Sequence, residues 1–178
     1  MNESVLFIVT GDRGAGKTTF CTRLSELARS SGWQVAGVLS PAVVVDGAKT
    51  MIDMIDLRAD RRRRLANYDP DADYPRELHW RFDADVLAWG NIVLSDSVPC
   101  DMLVVDELGV LEFERGQGWQ AGLAAIDSRA YRLGVVVIRP ELLTQAQQRW
   151  SQAQVIEISA PDRATREADR VGREFLQG

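Results

Sequence analysis

Gly11-Asp12-Arg13-Gly14-Ala15-Gly16-Lys17-Thr18 satisfies the phosphate-loop spacing G-x-x-x-x-G-K-[ST] at every fixed position. Glycines allow backbone N–H groups to curl around phosphate oxygens, and a helix that begins where the loop ends adds the positive end of its dipole. In such a loop Lys17 reaches the β- and γ-phosphates of a nucleoside triphosphate, and the Thr18 hydroxyl binds Mg2+. The nucleotide-binding set expected from this segment is Gly11, Asp12, Arg13, Gly14, Ala15, Gly16, Lys17, Thr18 and Thr19. At Arg13 the backbone N–H matters more than the charge.

A second chemical element, Asp106-Glu107, ends the apolar run Met102-Leu103-Val104-Val105. A carboxylate at a strand tip facing a phosphate loop holds Mg2+, chiefly through water, because that ion favours octahedral oxygen ligation and keeps several of its waters. This assigns Thr18 and Asp106 to the metal. Glu107, one residue further on, polarises a water in line with the γ-phosphate, which favours hydrolysis over binding alone. Arg139 follows Val135-Val136-Val137-Ile138 and precedes Pro140, so it emerges at another strand tip. Its guanidinium either stabilises transition-state charge in cis or forms a salt bridge to Glu107 or Glu112. The catalytic residues expected are Lys17, Glu107 and Arg139.

Placing these groups together takes alternating strands and helices. Val5 to Val9 reads as a strand, Thr18 to Arg29 as a helix stopped at Gly32, and Gln34 to Leu39 as a second strand, together a βαβ unit. From Ala42 the pattern changes. Val43-Val44-Val45, a turn at Asp46-Gly47-Ala48-Lys49, Met51 to Leu57, a turn near Ala59-Asp60, and Arg63 to Tyr68 predict an antiparallel β meander. A loop at Asp69 to Pro75 and a short strand at Trp80 to Phe82 complete an insertion of about residues 42–82. A helix from Asp83 then leads into strand Met102 to Val105, helix Gly118 to Ser128, strand Gly134 to Ile138, helix Glu141 to Trp150, strand Val155 to Ile158 and helix Asp162 to Leu176. Such alternation implies an α/β fold with a mostly parallel sheet, helices on both faces, and ligands beyond the carboxyl ends of the strands.

The 178 residues read as one domain, 1–178, with that insertion. A net charge of −5 argues against a generic nucleic-acid-coating role. The start of the chain has no basic n-region and its apolar run is five residues long, so neither a signal peptide nor a membrane span is expected and the location expected is cytoplasmic. The two cysteines, Cys21 and Cys100, lack metal-ligand spacing and read as reduced and structural. The single histidine, His79, sits in Leu78-His79-Trp80-Arg81-Phe82 as an alternating strand residue, which leaves no His-based triad or zinc site. Arg61-Arg62-Arg63-Arg64 falls near a hairpin turn and reads as a solvated or ion-paired run. The five tryptophans, Trp80, Trp89 and Trp119 among them, read mostly as packing groups, so nucleic acid is not an expected partner.

Several of these segments together resemble the cancer-related nucleoside-triphosphatase family of small phosphate-loop NTPases. The likeness rests on Gly11 to Thr18 with Thr19, on Gly37-Val38-Leu39-Ser40-Pro41 leading to Met51-Ile52-Asp53 and Leu57, on Asp106-Glu107-Leu108-Gly109-Val110-Leu111-Glu112, and on Arg139. The acidic stretch is the specific part. Its family counterpart reads Asp-Glu-Ile-Gly-Pro-Met-Glu, so Asp106, Glu107, Gly109 and Glu112 match. Two departures stand out. The family's Glu-Val-Arg element after the second strand is here Pro41-Ala42-Val43-Val44, without either charge, and Arg13 replaces a proline common in the family's loop.

The resemblance implies slow, Mg2+-dependent hydrolysis of ATP, GTP and other nucleoside triphosphates with little base discrimination. It also implies the phosphate-loop class with Glu directly after the metal-binding Asp, hence a five-stranded order 5-1-4-3-2 that aims Arg139 at the γ-phosphate. Two alternatives stay open on sequence. A nucleotide or small-molecule kinase shares the loop, although no arginine-rich lid is visible. A nucleotide-dependent switch or assembly factor would dock a protein partner through the β insertion.

Overall fold

The structure, a computed structural model, describes residues 4–71 and 79–176. β1 (Val5–Thr10) carries the phosphate loop at its carboxyl end, and the loop delivers the chain into α1 (Lys17–Ser30). Phe20, Cys21, Leu24 and Ala28 recur at helical spacing and form the buried face of α1. β2 (Val35–Leu39) then returns, fully buried, on the far side of the sheet.

Five strands form the parallel core: β1, β2, β7 (Cys100–Leu108), β8 (Tyr131–Ile138) and β9 (Gln154–Glu157). Their spatial order is β9-β1-β8-β7-β2, which is 5-1-4-3-2 when they are counted among themselves. β8 therefore lies between the loop strand and the acidic strand. The inserted antiparallel meander extends this parallel core at the β2 edge. β4 (Ala48–Asp56) pairs antiparallel with β2 through Val38↔Asp56 and Leu39↔Ile55, and β5 (Arg61–Tyr68) and β6 (Trp80–Phe82) extend the same sheet. With β3 (Ala42–Val45) paired to β4, the sheet has nine strands among the described residues. The physical reason is the free edge of β2, whose unpaired N–H and C=O groups are satisfied by the insertion that follows it in the chain.

Alternate residues of β1 feed two cores. Leu6 and Ile8 pack with α2 (Ala84–Ser95) and α4 (Gln120–Asp127), through Trp89, Val93, Leu94, Leu123 and Ile126. Phe7 and Val9 pack with α1 and α6 (Pro161–Phe175), through Phe20, Leu24, Ala164, Ala168 and Val171. Helices thus cover both faces. The helix expected over Glu141 to Trp150 is a 3₁₀ turn, Pro140–Leu142, followed by α5 (Leu143–Arg149). A short helix, α3 (Val110–Glu114), follows β7 without having been anticipated. The loop expected over Asp69 to Pro75 lies partly outside the described residues.

Candidate functional site

The phosphate loop is wedged against the end of β9. Gly11 has φ 145°, and a Cβ there would stand 2.0 Å from the Ile158 carbonyl oxygen, so only glycine fits. Gly16 caps α1 at φ 104°, with no side-chain cap and no acidic residue in the first turn of the helix. The Ala15 amide is used within the loop, donating to the Asp12 carbonyl at 3.1 Å. Among the described residues the amides of Gly14, Gly16 and Lys17 donate to no protein group. Free donors and an uncompensated helix N-terminus at one spot form an anion site. Asp12, Arg13 and Thr19 project outward and are exposed, whereas Ala15 is buried.

The expected side chains converge on Lys17. Its Nζ donates to the carbonyls of Gly11 (2.5 Å) and Asp12 (2.8 Å). Burial lowers its pKa, Arg139 acts in the same direction, and the charges of Glu107, Asp106 and Asp12 oppose both. One ammonium therefore senses both carboxylates of the acidic motif and the arginine of the neighbouring strand.

Asp106 is 3% exposed. Burial pushes its carboxyl up to about 6 and Glu107 adds to the rise, against the pull of the Ser40 amide, the Thr18 hydroxyl and Lys17. The Ser40 N–H donates to Asp106 Oδ2 at 3.0 Å, and Ser40 Oγ is buried with no partner among the described residues. Ser40 was not among the expected site residues. Its position at the turn out of β2, next in the sheet to β7, is a product of strand order and has no local sequence signal.

Asp106 and Glu107 also occupy an irregularity in the ladder. β7 and β8 pair Val105↔Val136 and next Leu108↔Ile138, so β7 carries one extra residue at this point. A bulge at a strand end re-aims side chains, and this one lies at the acidic pair. Glu107 Oε1 accepts from Arg139 Nε at 2.5 Å, both side chains being part-exposed. Arg139 is held extended (φ −68°, ψ 152°) before Pro140, as its position requires. Of the two ion-pair partners considered for it, Glu107 is the one observed. Glu112 binds backbone instead, with Oε2 accepting the Gly109 amide and Oε1 the Trp119 amide, each at 2.7 Å. It thereby ties together the two ends of the segment after β7.

Among the described residues no group of three His, Cys, Asp or Glu is placed to hold a metal. One buried carboxylate beside a threonine hydroxyl suits a hard cation that takes its other ligands from phosphate and water. The remaining expectations divide cleanly. His79 is buried, against the Tyr68 ring at 5.5 Å. Cys21 and Cys100 are free, and burial pushes the Cys100 thiol up to about 11. The arginine run is ion-paired: Arg62 and Arg64 to Asp53, Arg61 to Asp56 at 3.6 Å, with Arg63 over the Trp89 ring at 4.6 Å. Trp33, Trp89, Trp119 and Trp150 are core residues. Among the described residues no helix is long and apolar enough to cross a membrane.

The NTPase family matches residues 6–168, nearly the whole chain. The chain belongs to that family. It is 27% identical over 113 residues to the nucleoside-triphosphatase THEP1 of Methanothermobacter thermautotrophicus, a match spanning 60% of this chain and 62% of that relative. The corresponding protein of Methanopyrus kandleri is 27% identical over 130 residues, 72% of this chain and 71% of the relative. Among solved structures, that of a human cancer-related nucleoside triphosphatase superposes with TM-score 0.70 at 21% identity, covering 98% of this chain and 99% of that one. The crystal structure of THEP1 from Aquifex aeolicus gives TM-score 0.66 at 12% identity, covering 97% and 100%. These likenesses establish the phosphate-loop α/β fold.

Proposed function

We propose that this NTPase-family chain hydrolyses nucleoside triphosphates to the diphosphate and phosphate, with Mg2+ and little base discrimination. The observation that carries the reading is the cluster of Lys17, Asp106, Glu107 and Arg139 beside a loop whose amides are free. Every group in it addresses phosphate, its metal ion or the attacking water, and all four common triphosphates share those parts. The names of the relatives, nucleoside-triphosphatases, point the same way.

In this reading the loop amides and Lys17 hold the β- and γ-phosphates, and Lys17 exchanges its two loop carbonyls for phosphate oxygens. Thr18 and Asp106 would hold Mg2+, which when bound neutralises charge on the β- and γ-oxygens. Its affinity rises as the raised Asp106 carboxyl ionises. Arg139 turns from Glu107 to the γ-phosphate, where its fixed charge stabilises the transition state. That motion frees the Glu107 carboxylate to orient a water and accept its proton.

The test is phosphate release from ATP, GTP, CTP and UTP by the wild type, Lys17→Ala and Glu107→Gln. The expected pattern is turnover of all four by the wild type, loss of binding in Lys17→Ala, and retained binding with turnover reduced by about 10²-fold or more in Glu107→Gln. Wild-type release no higher than that of Lys17→Ala removes the hydrolase reading, and γ-phosphate transfer to an acceptor other than water replaces it with a kinase.

A further inference from the structure

The β insertion carries a cation to the phosphate loop. β2 runs on through Ser40 and Pro41 into β3, and the Asp53 amide bonds the Pro41 carbonyl at 3.0 Å, so the β3–β4 hairpin continues beyond the carboxyl end of β2. That is the edge of the sheet where the loop lies. The hairpin tip is a tight two-residue turn, with Asp46 (φ 49°) and Gly47 (φ 80°) both left-handed. β3 and β4 pair Val45↔Ala48, Val44↔Lys49 and then Val43↔Met51, which leaves Thr50 as an extra residue. Such a bulge bends its strand and re-aims the adjacent side chain. The Lys49 ammonium comes to rest 3.8 Å from where a Cβ on Gly14 would stand, at the middle of the phosphate loop.

Among the described residues no carboxylate explains that position. Lys49 is exposed and makes no ion pair among the described residues. Its neighbours at the loop include the exposed Arg13 and the positive N-terminal end of α1. Asp12 is the one carboxylate within the loop itself, and an anion bound there would further offset the repulsion among these positive groups. Of the chain's 21 Lys and Arg residues only two are lysines, Lys17 and Lys49, and both stand at this loop. An ammonium with three rotatable donors suits a phosphate reached from the hairpin.

We propose that Lys49 is a second phosphate-binding lysine, delivered in cis by the β3–β4 hairpin to the outer side of a nucleoside triphosphate held by the loop. The proposal rests on the reading that the loop binds triphosphate. The hairpin is then part of the nucleotide site.

Because the chain has two lysines, an amine-specific reagent separates the two claims. The full chain is acetylated with N-hydroxysuccinimidyl acetate, without ligand and with Mg2+ plus a non-hydrolysable ATP analogue, ADP or AMP, and labelling is read peptide by peptide in a mass spectrometer. The expected result is slower labelling of both Lys17 and Lys49 with the triphosphate analogue, and no protection of Lys49 by AMP. In parallel, Lys49→Gln weakens binding of the fluorescent triphosphate analogue about tenfold and Lys49→Arg restores most of it. If Lys17 is protected while Lys49 labels at its free rate and Lys49→Gln binds like the wild type, Lys49 is a bystander and the loop reading survives. If neither lysine is protected at saturating analogue, the triphosphate reading falls and this proposal falls with it.

Discussion

Glu112 shows how a residue within a functional motif can act only on the backbone. It sits five positions after Glu107, yet both of its carboxylate oxygens are occupied by main-chain amides, those of Gly109 and Trp119. Hydrogen bonds to a charged acceptor contribute about 1.5–3 kcal/mol each, and a lost acceptor leaves two donors in a part-buried turn. Glu112→Ala is therefore expected to destabilise the fold by about 3 kcal/mol, seen as a lower urea midpoint, while triphosphate affinity changes little. A large loss of affinity with unchanged stability would place Glu112 in the nucleotide site instead. At this scale the sequence was legible where chemistry dictates residue type: the loop, Asp106, Glu107 and Arg139 all follow from motif and strand tip. It was silent on Ser40 and Lys49, whose positions at the site depend on neighbours 66 and 35 positions away in the chain.

Among the elements, the β4–β5 pair explains why four consecutive arginines do not make a nucleic-acid surface. Asp53 of β4 is buried and receives Arg62 Nε at 2.6 Å, with Arg64 on its other oxygen. Burial alone would raise the Asp53 carboxyl, but the hydrogen bonds and charges of Arg64 and Arg62 outweigh it and hold the group below the usual carboxylate range. A depressed folded-state pKa contributes stability that is present above the unfolded value, near 3.9, and is lost as pH falls through the folded one. Asp53→Asn should thus cost about 2 kcal/mol at pH 7, and the gap to the wild type should narrow as the pH falls below the unfolded value. Chemical denaturation at pH 7, 4 and 3 measures it; a gap that stays constant across that range would show the ion pairs to be inert. Element positions and types were largely readable from periodicity and turn residues, down to the Asp46-Gly47 turn. The bulges, among them those at Asp106-Glu107 and at Thr50, were not, because a one-residue slip in pairing exists only between strands.

At the scale of the whole molecule, the joint between β2 and β4 decides whether the insertion is a separate unit. The strand order of the parallel core is the one that the resemblance implies, with β8 between the loop strand and the acidic strand. The continuation of that sheet into the insertion was not legible, since an edge is visible only once the sheet exists. Continuity has an energetic consequence. β2 is shared by both halves, the Leu57 amide bonds the Gly37 carbonyl at 3.0 Å, and Arg58 donates to the carbonyls of Asp96, Ser97 and Pro99 behind it. Melting one half exposes the buried strand of the other, so the chain should unfold in a single transition. A ligand bound only by the native state at 100 times its Kd adds about 2.7 kcal/mol, which for a chain of this length raises Tm by roughly 5–10 °C. Differential scanning calorimetry with Mg2+ and a non-hydrolysable triphosphate should show one peak moving as a whole in the wild type and not moving in Lys17→Ala. A second peak that ignores the nucleotide would mean that the insertion folds on its own, and the hairpin bearing Lys49 would then be a neighbour of the loop without being coupled to it.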